Sequence, residues 1–369
     1  MADLVTLFLA GDVMTGRGID QILPHPGDPA LHEPYVQNAE RYVYLAEEAY
    51  GPVTRPVDVA YIWGDTLAEL ERMAPDLRII NLETAVTASN DWWRGKEVHY
   101  RMHPANVSCL TAARIDCCAL ANNHVLDWGY AGLRETLTTL LGAGVRCAGA
   151  GESRAEAQAP AVFEVAGKGG VVLVACGSAT SGIPMEWGGA EDRPGLHLVG
   201  ELSAMEAERI GALVREAKRP GDVAVVSIHW GGNWGYGIPH EEREFAHRLI
   251  DAGVDLVHGH SSHHVKGIEV YKERLVLYGC GDFLNDYEGI GGYEALRGDL
   301  GLMYFPSLDP ATGRLVRLAM TPTRIRRLRV NRAGEKDGRW LRDILNREGE
   351  RLGTSVAMEA DGTLALRWG

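Results

Sequence analysis

The sequence predicts an α/β protein, a largely parallel or mixed sheet with helices on its faces. Six apolar, β-rich runs end abruptly in Gly, Asn, Asp or His, and segments with helical spacing separate them. The residues at those run ends are also the ones that carry chemistry. In open α/β sheets, ligands gather beyond the carboxyl ends of the strands, so this coincidence places a site there.

The runs follow in order. LVTLFLAGD ends at Asp12, LRIINLE at Glu83 and DCCALANNH at His124. VAVVSIHWGG ends around His229, VDLVHGHSSH in a group of histidines, and RLVLYGCGD at Asp282. Between them, residues 65–74, 130–144, 201–218 and 240–253 space their apolar side chains three or four apart, which predicts four helices. Residues 13–60, rich in Pro, His and Tyr, form a long insertion expected to cover part of the site. Gly-rich segments 180–197 and 284–299 are expected lids or rim loops. From 306 the pattern changes to a strand, a helix and a hairpin, expected to cover the sheet without supplying chemistry. The division is therefore a catalytic unit over 1–305 and a C-terminal appendage over 306–369 packed on it.

Of 369 residues, 46% are hydrophobic and 24% charged, as in a globular protein with a sizeable core. The net charge of −13 argues against nucleic acid or an anionic membrane as the main partner. The start, MADLVTLFLAGDVM, lacks a basic leader and reads as a first strand, and no run is long enough to span a membrane. Six scattered cysteines without a C-x-x-C pair read as reduced thiols, which points to a cytoplasmic protein.

The candidate site is built from the run ends. Asp12 can ligate a cation or make an Asx turn. Asn81 and Glu83 share a strand face by period-two alternation, and either can reach the site. In ANNHVLDWG, the Asn122 and Asn123 amides suit a hard or borderline cation. His124 can serve there as acid or base, and Asp127 can orient a neighbour. His229 ends one strand, and His258 and His260 share a face of another, with His263 one tight turn later. Such an oxygen-and-imidazole set suits Zn, Mn, Fe or Ni, and admits Ca. Mixed ligands without cysteine point to an open, catalytic site.

The six motifs GDVMTGR, NLET, NNHVLDWG, SIHWG, GHSSH and YGCGDF resemble, in sequence order, the CapA-like (poly-γ-glutamate synthesis) branch of the calcineurin-like metallophosphoesterases. The resemblance spans roughly residues 4–305. It implies a four-layer α/β/β/α sandwich with a centre of one or two divalent ions. It also implies Asp12, Glu83, Asn123, His229, His260 and His263 as ligands and His124 as the acid/base residue. Three departures stand out. Met14 occupies the place of a histidine found in general phosphoesterases. His258 replaces the usual aliphatic residue before Gly-His. The export signal or anchor common in this branch is not seen.

Three functions follow as expectations. The first is an enzyme acting on a peptide or peptide-like carboxylate. Its most specific form is epimerisation at an α-carbon, as relatives associated with lasso peptides imply, with His124, Asp12 and His258 as the proton-transfer pool. The second is hydrolysis of a phosphoester or amide by metal-activated water, or a role in poly-γ-glutamate biosynthesis. The third is a non-catalytic capsule-assembly partner. Trp92, Trp93, Trp230 and Trp234 are expected to line a peptide pocket, with Trp128 and Trp187 nearby. Arg101 and Lys266 are expected to grip substrate carboxylates, with Arg17, Arg94 and Lys96 as further cations for an acidic polymer. His264 is expected to point away. His258 is expected to be a ligand compensating for Met14, or a proton-transfer group.

Overall fold

A computed structural model describes residues 4–369, so the first three residues of the N-terminal stretch lie outside the described residues. Two sheets face each other. The first holds ten strands, with Val5–Val13 near its middle. That strand runs parallel to Leu77–Leu82, and the parallel series continues through Cys117–Ala119 to Arg146–Ala148. On its other side it pairs antiparallel with Leu300–Leu308. The second sheet centres on Gly169–Ser178, Val223–His229 and Leu256–His260, all parallel.

Alternation along the strands separates the layers. Leu7 and Leu9 of the first strand meet Leu173, Val225 and Leu256 of the second sheet in one core. Phe8 and Ala10 face a second core, under the helices that include Gly129–Gly142 and Thr66–Met73. Val174, Val226 and Ile228 turn outward onto Ala204–Ala217 and His240–Asp251. The fold is therefore the α/β/β/α sandwich, and the strands are buried on both faces as parallel strands require. The four predicted helices form within a few residues of their expected bounds. Ser203 caps the third by accepting from the Glu206 amide at 3.3 Å.

The C-terminal strand, helix and hairpin exist, but they continue the sheet and do not only cover it. Leu315–Ile325 pairs along Leu300–Leu308, and the hairpin strand Leu364–Trp368 joins next to it. Leu341 and Leu345 of helix Glu335–Gly349 lie in the core between the sheets. The boundary drawn at 305 thus falls inside a strand. Residues 13–60 contain the helices Arg17–Ile22 and Glu40–Tyr50, and place Arg17, Tyr35, Tyr42 and Tyr50 on the wall of a large cavity. Of the two expected rim segments, 284–299 lines that cavity. The other, 180–197, does not, because Trp187 inserts into the helix-side core.

Candidate metal centre

In-register pairing gathers the site. Asp12 lies beside Asn81 and beside Asp282 in the first sheet, and His229 lies beside His260 in the second. Both sets sit at carboxyl ends that open to the same edge. Gly11 allows the close packing this needs, since a Cβ there would stand 1.7 Å from the Gly281 carbonyl oxygen. Ser261 takes a φ of +101°, unusual for a side-chain-bearing residue. In that conformation its amide donates to Asp12 Oδ2 at 3.1 Å and its hydroxyl donates to the Gly231 carbonyl at 3.1 Å.

Two overlapping groups of buried side chains meet the requirements of a cation. In the first, Asp12 Oδ1 is 3.9 Å from His229 Nδ1 and 3.8 Å from His260 Nδ1, and the two nitrogens are 2.8 Å apart. A point equidistant from these three atoms lies about 2.1 Å from each, the length of a Zn–N or Zn–O bond. In the second, Asp12, Glu83 and Asp282 offer oxygens all within 4.8 Å of one another. Burial, then the charge of Asp282, pushes Asp12 up to about 7. Burial, then Asp12 and Asp282, raises Glu83 well above the usual carboxylate range. Three packed carboxylates repel one another, and a divalent cation removes that penalty. The donor set therefore fits a metal. Asn123 Oδ1 stands 3.0 Å from His229 Nε2, the ring nitrogen that also faces Glu83 Oε1 at 3.9 Å.

His263 stands beside the second group. Its Nδ1 is 2.9 Å from Asp282 Oδ1 and 3.1 Å from Oδ2, and its ring lines the cavity. Burial lowers its pKa, but the charge and hydrogen bond of Asp282 raise it further, for a net rise. Asp282, next to last in the YGCGDF motif, is not among the expected ligands. That motif's fixed place in the order was the signal. Met14 packs into the helix-side core.

His124 stands beside the carboxylates, its Nε2 3.8 Å from Glu83 Oε1. Its Nδ1 is 2.6 Å from Asp127 Oδ2, and Tyr100 stacks on its ring at 3.7 Å. Lys96 closes the group, donating to Asp127 Oδ1 and to the Asn123 carbonyl. Burial, then the Lys96 charge, holds His124 well below the usual imidazole range, so it rests neutral. With Nδ1–H given to Asp127, the Nε2 lone pair faces the centre. The sequence offers Lys96 as a cation for a groove or for a substrate carboxylate, and not as a partner of His124. Its place beside His124 depends on a loop path that spacing does not encode.

The expected substrate contacts divide. Trp234 lines the 760 Å³ cavity, with Tyr35, Tyr42, Tyr100, Tyr287 and Tyr293. Trp92 instead stacks on His32 at 4.3 Å, and Trp93 packs against Trp187. Trp230 is buried in the outer core, donating to the Tyr278 carbonyl at 3.0 Å. Arg101 lies over Trp128 and donates to the carbonyls of Ser89 and Asp28. Lys266 is buried beneath Gly279, near Glu242. Apolar burial or prior hydrogen bonding withdraws each of these five from the cavity wall. His264 also points away, its Nε2 accepting from the Gly235 amide at 3.0 Å. The cations that do line the cavity are matched: Arg17 to Glu33 and Asp286, Lys96 to Asp127, Arg297 to Asp299. His258, expected as a ligand or a proton-transfer group, lies buried between the sheets with its Nε2 donating to the Ala10 carbonyl at 2.8 Å.

A family model described as bacterial capsule synthesis protein PGA_cap matches residues 6–287. The chain belongs to this family. It is 48% identical to a probable polyglutamine synthesis accessory protein of Mycobacterium tuberculosis, over 99% of this chain and 96% of that protein. It is 26% identical to the PGA biosynthesis protein CapA of Bacillus subtilis, over 85% of this chain and 70% of the relative. The capsule biosynthesis protein CapA of Bacillus anthracis is 24% identical, over 76% and 60%. The family is the CapA-like one that the six motifs resemble. Among the described residues no helix is long and apolar enough to cross a membrane.

Proposed function

We propose that this chain is a metal-dependent enzyme acting on a polyglutamate or peptide-like chain in capsule-type polymer synthesis, and that it cleaves or transfers an amide bond. The observation that carries this reading is the His124–Asp127 pair beside the buried carboxylate and imidazole cluster, open to a 760 Å³ aromatic cavity. Asp12, Glu83, Asn123, His229, His260 and Asp282 would hold one or two divalent ions. A cation there supplies Lewis acidity and makes water nucleophilic near neutral pH.

The protein residues supply the rest. Asp127 holds the Nδ1 proton of His124 and so keeps Nε2 free to accept a proton and return it to the leaving nitrogen. Lys96 balances the Asp127 charge, and Tyr100 fixes the ring plane. The tyrosines and Trp234 can pack the methylene part of a glutamyl or peptide chain. With the lining cations already paired, substrate carboxylates are left to the metal centre and to backbone donors. Epimerisation is less favoured by this geometry. Of the proton-transfer pool His124, Asp12 and His258, the second is tied into the cluster and the third is sealed between the sheets.

The test uses poly-γ-glutamate and synthetic glutamyl peptides in deuterated water, with Mn²⁺ or Zn²⁺ added to chelator-stripped protein. The expected result is shorter chains with new amino ends, no deuterium at the α-carbon, and loss of turnover in His260→Ala. Deuterium at an α-carbon without cleavage would establish epimerisation instead. Metal binding with no turnover of any of these substrates would favour a non-catalytic accessory role.

A further inference from the structure

We infer that His258 is a positioning residue: acting through Ser227, it sets the tautomer of His260 so that the Nδ1 lone pair of His260 faces the metal centre. The inference rests on the metal reading above and goes beyond it.

The chain of donors starts from a group with no choice. A carbonyl oxygen only accepts, so His258 Nε2, 2.8 Å from the Ala10 oxygen, carries the proton. His258 is fully buried, its two ring nitrogens facing the Ala10 carbonyl and the Ser227 hydroxyl, so no charged partner holds a second proton there. Its Nδ1 is therefore a lone pair. Ser227 Oγ lies 3.1 Å from that nitrogen and donates to it. The hydroxyl then accepts, and the ring nitrogen 2.9 Å away on its other side is His260 Nε2. A His260 that donates from Nε2 keeps Nδ1 unprotonated, and Nδ1 is the atom 3.8 Å from Asp12 Oδ1 and 2.8 Å from His229 Nδ1. Without the relay a neutral imidazole populates both tautomers. The Nδ1–H form would point a proton where the cation belongs.

Strand geometry accounts for the relay. Ser227 pairs with His258 and His229 with His260, and period-two alternation turns all four side chains to the face that looks at the first sheet. The His258–Ala10 bond crosses between the sheets two residues before Asp12. It therefore also ties together the strands that carry Asp12 and His260. Metal-bound histidines commonly have the other ring nitrogen fixed this way, usually by a carboxylate or a carbonyl. Here a serine and a second histidine carry that fixing to a backbone oxygen.

Equilibrium dialysis of Mn²⁺ and Zn²⁺ against chelator-stripped full chain tests this. Wild type is compared with Ser227→Ala, His258→Val, the double variant and His260→Ala. Nitrogen-15 histidine spectra of the metal-free proteins report the tautomer directly. The relay predicts an Nε2-protonated His260 in wild type. It also predicts affinity about 10–100-fold lower in each single variant, and no further loss in the double. Ser227→Ala removes one hydroxyl and leaves the tie to Ala10 intact, so it decides the matter even where His258→Val fails to fold. Affinity within twofold of wild type in Ser227→Ala, or an unchanged His260 spectrum, overturns the relay while the metal reading stands. If wild type binds neither ion, or His260→Ala binds as tightly as wild type, the metal reading itself fails and the relay fails with it.

Discussion

His124 depends on the carboxylate behind it. Asp127 accepts from His124 Nδ1 at 2.6 Å and from the Tyr100 amide at 2.7 Å, so one buried side chain fixes both the ring and the residue that stacks on it. In Asp127→Asn the amide fits the same space but no longer favours the Nδ1–H tautomer. On the proposed reaction kcat should fall about 10²–10⁴-fold, the range of a lost general acid or base. KM and bound metal should stay near wild type. Steady-state kinetics with metal analysis checks this. An equal fall in metal content would show that Asp127 supports the fold of the site and not the proton transfer.

At the scale of the element, strands and helices hold each other through a few buried charges far from the centre. Glu269, on strand Ile268–Tyr271, accepts from Arg243 at 2.7 Å and Tyr278 at 2.6 Å, and lies 3.0 Å from His247 Nε2. Arg243 and His247 belong to helix His240–Asp251, so Glu269 pins that helix to the second sheet. Burial raises the pKa of Glu269, but these hydrogen bonds outweigh it and leave a net depression. A depressed carboxylate stabilises the fold above its ordinary pKa, and that stability is lost as pH falls through the folded value. Glu269→Gln should therefore cost about 1.5–3 kcal/mol at pH 7, the range for hydrogen bonds to a charged group. The gap from wild type should close as pH falls below about 4.3, the ordinary glutamate pKa. Denaturant unfolding at several pH values measures it, and a gap independent of pH would refute the assignment.

Over the whole molecule, the core between the sheets draws on both ends of the chain. Leu9 in the first strand and Leu341 in the C-terminal helix are both fully buried in it. Each change to Ala should cost about 2–5 kcal/mol, as cavity-forming substitutions in a packed core do. A helix that merely lay over the sheet would lose far less at Leu341. Ending the chain after 308 removes Leu315–Ile325, the hairpin and the helix. Cooperative thermal unfolding followed by circular dichroism should then be lost. A shortened chain that still melts cooperatively near the wild-type temperature would restore the appendage view.

The sequence by itself determined the α/β class, the four long helices and the strand ends that carry Asp12, Glu83, Asn123, His124, His229 and His260. These follow from local periodicity and from the abrupt stop of each apolar run, which neighbouring residues specify. Only the tertiary structure decided which other residues joined them. Asp282 entered through a parallel pairing with Asp12, and Lys96 through the path of a loop. Trp92, Trp93, Trp230, Arg101 and Lys266 found apolar or hydrogen-bonded places elsewhere. The tail after 305 became sheet because Leu300–Leu308 offered it an open edge. His258 shows the division within one residue. Its strand and face were legible from alternation, but its partner, the Ala10 carbonyl, lies 248 residues away across the gap between the sheets. Hydrogen-bond partners at that separation are fixed by how sheets stack, and no local pattern carries that information.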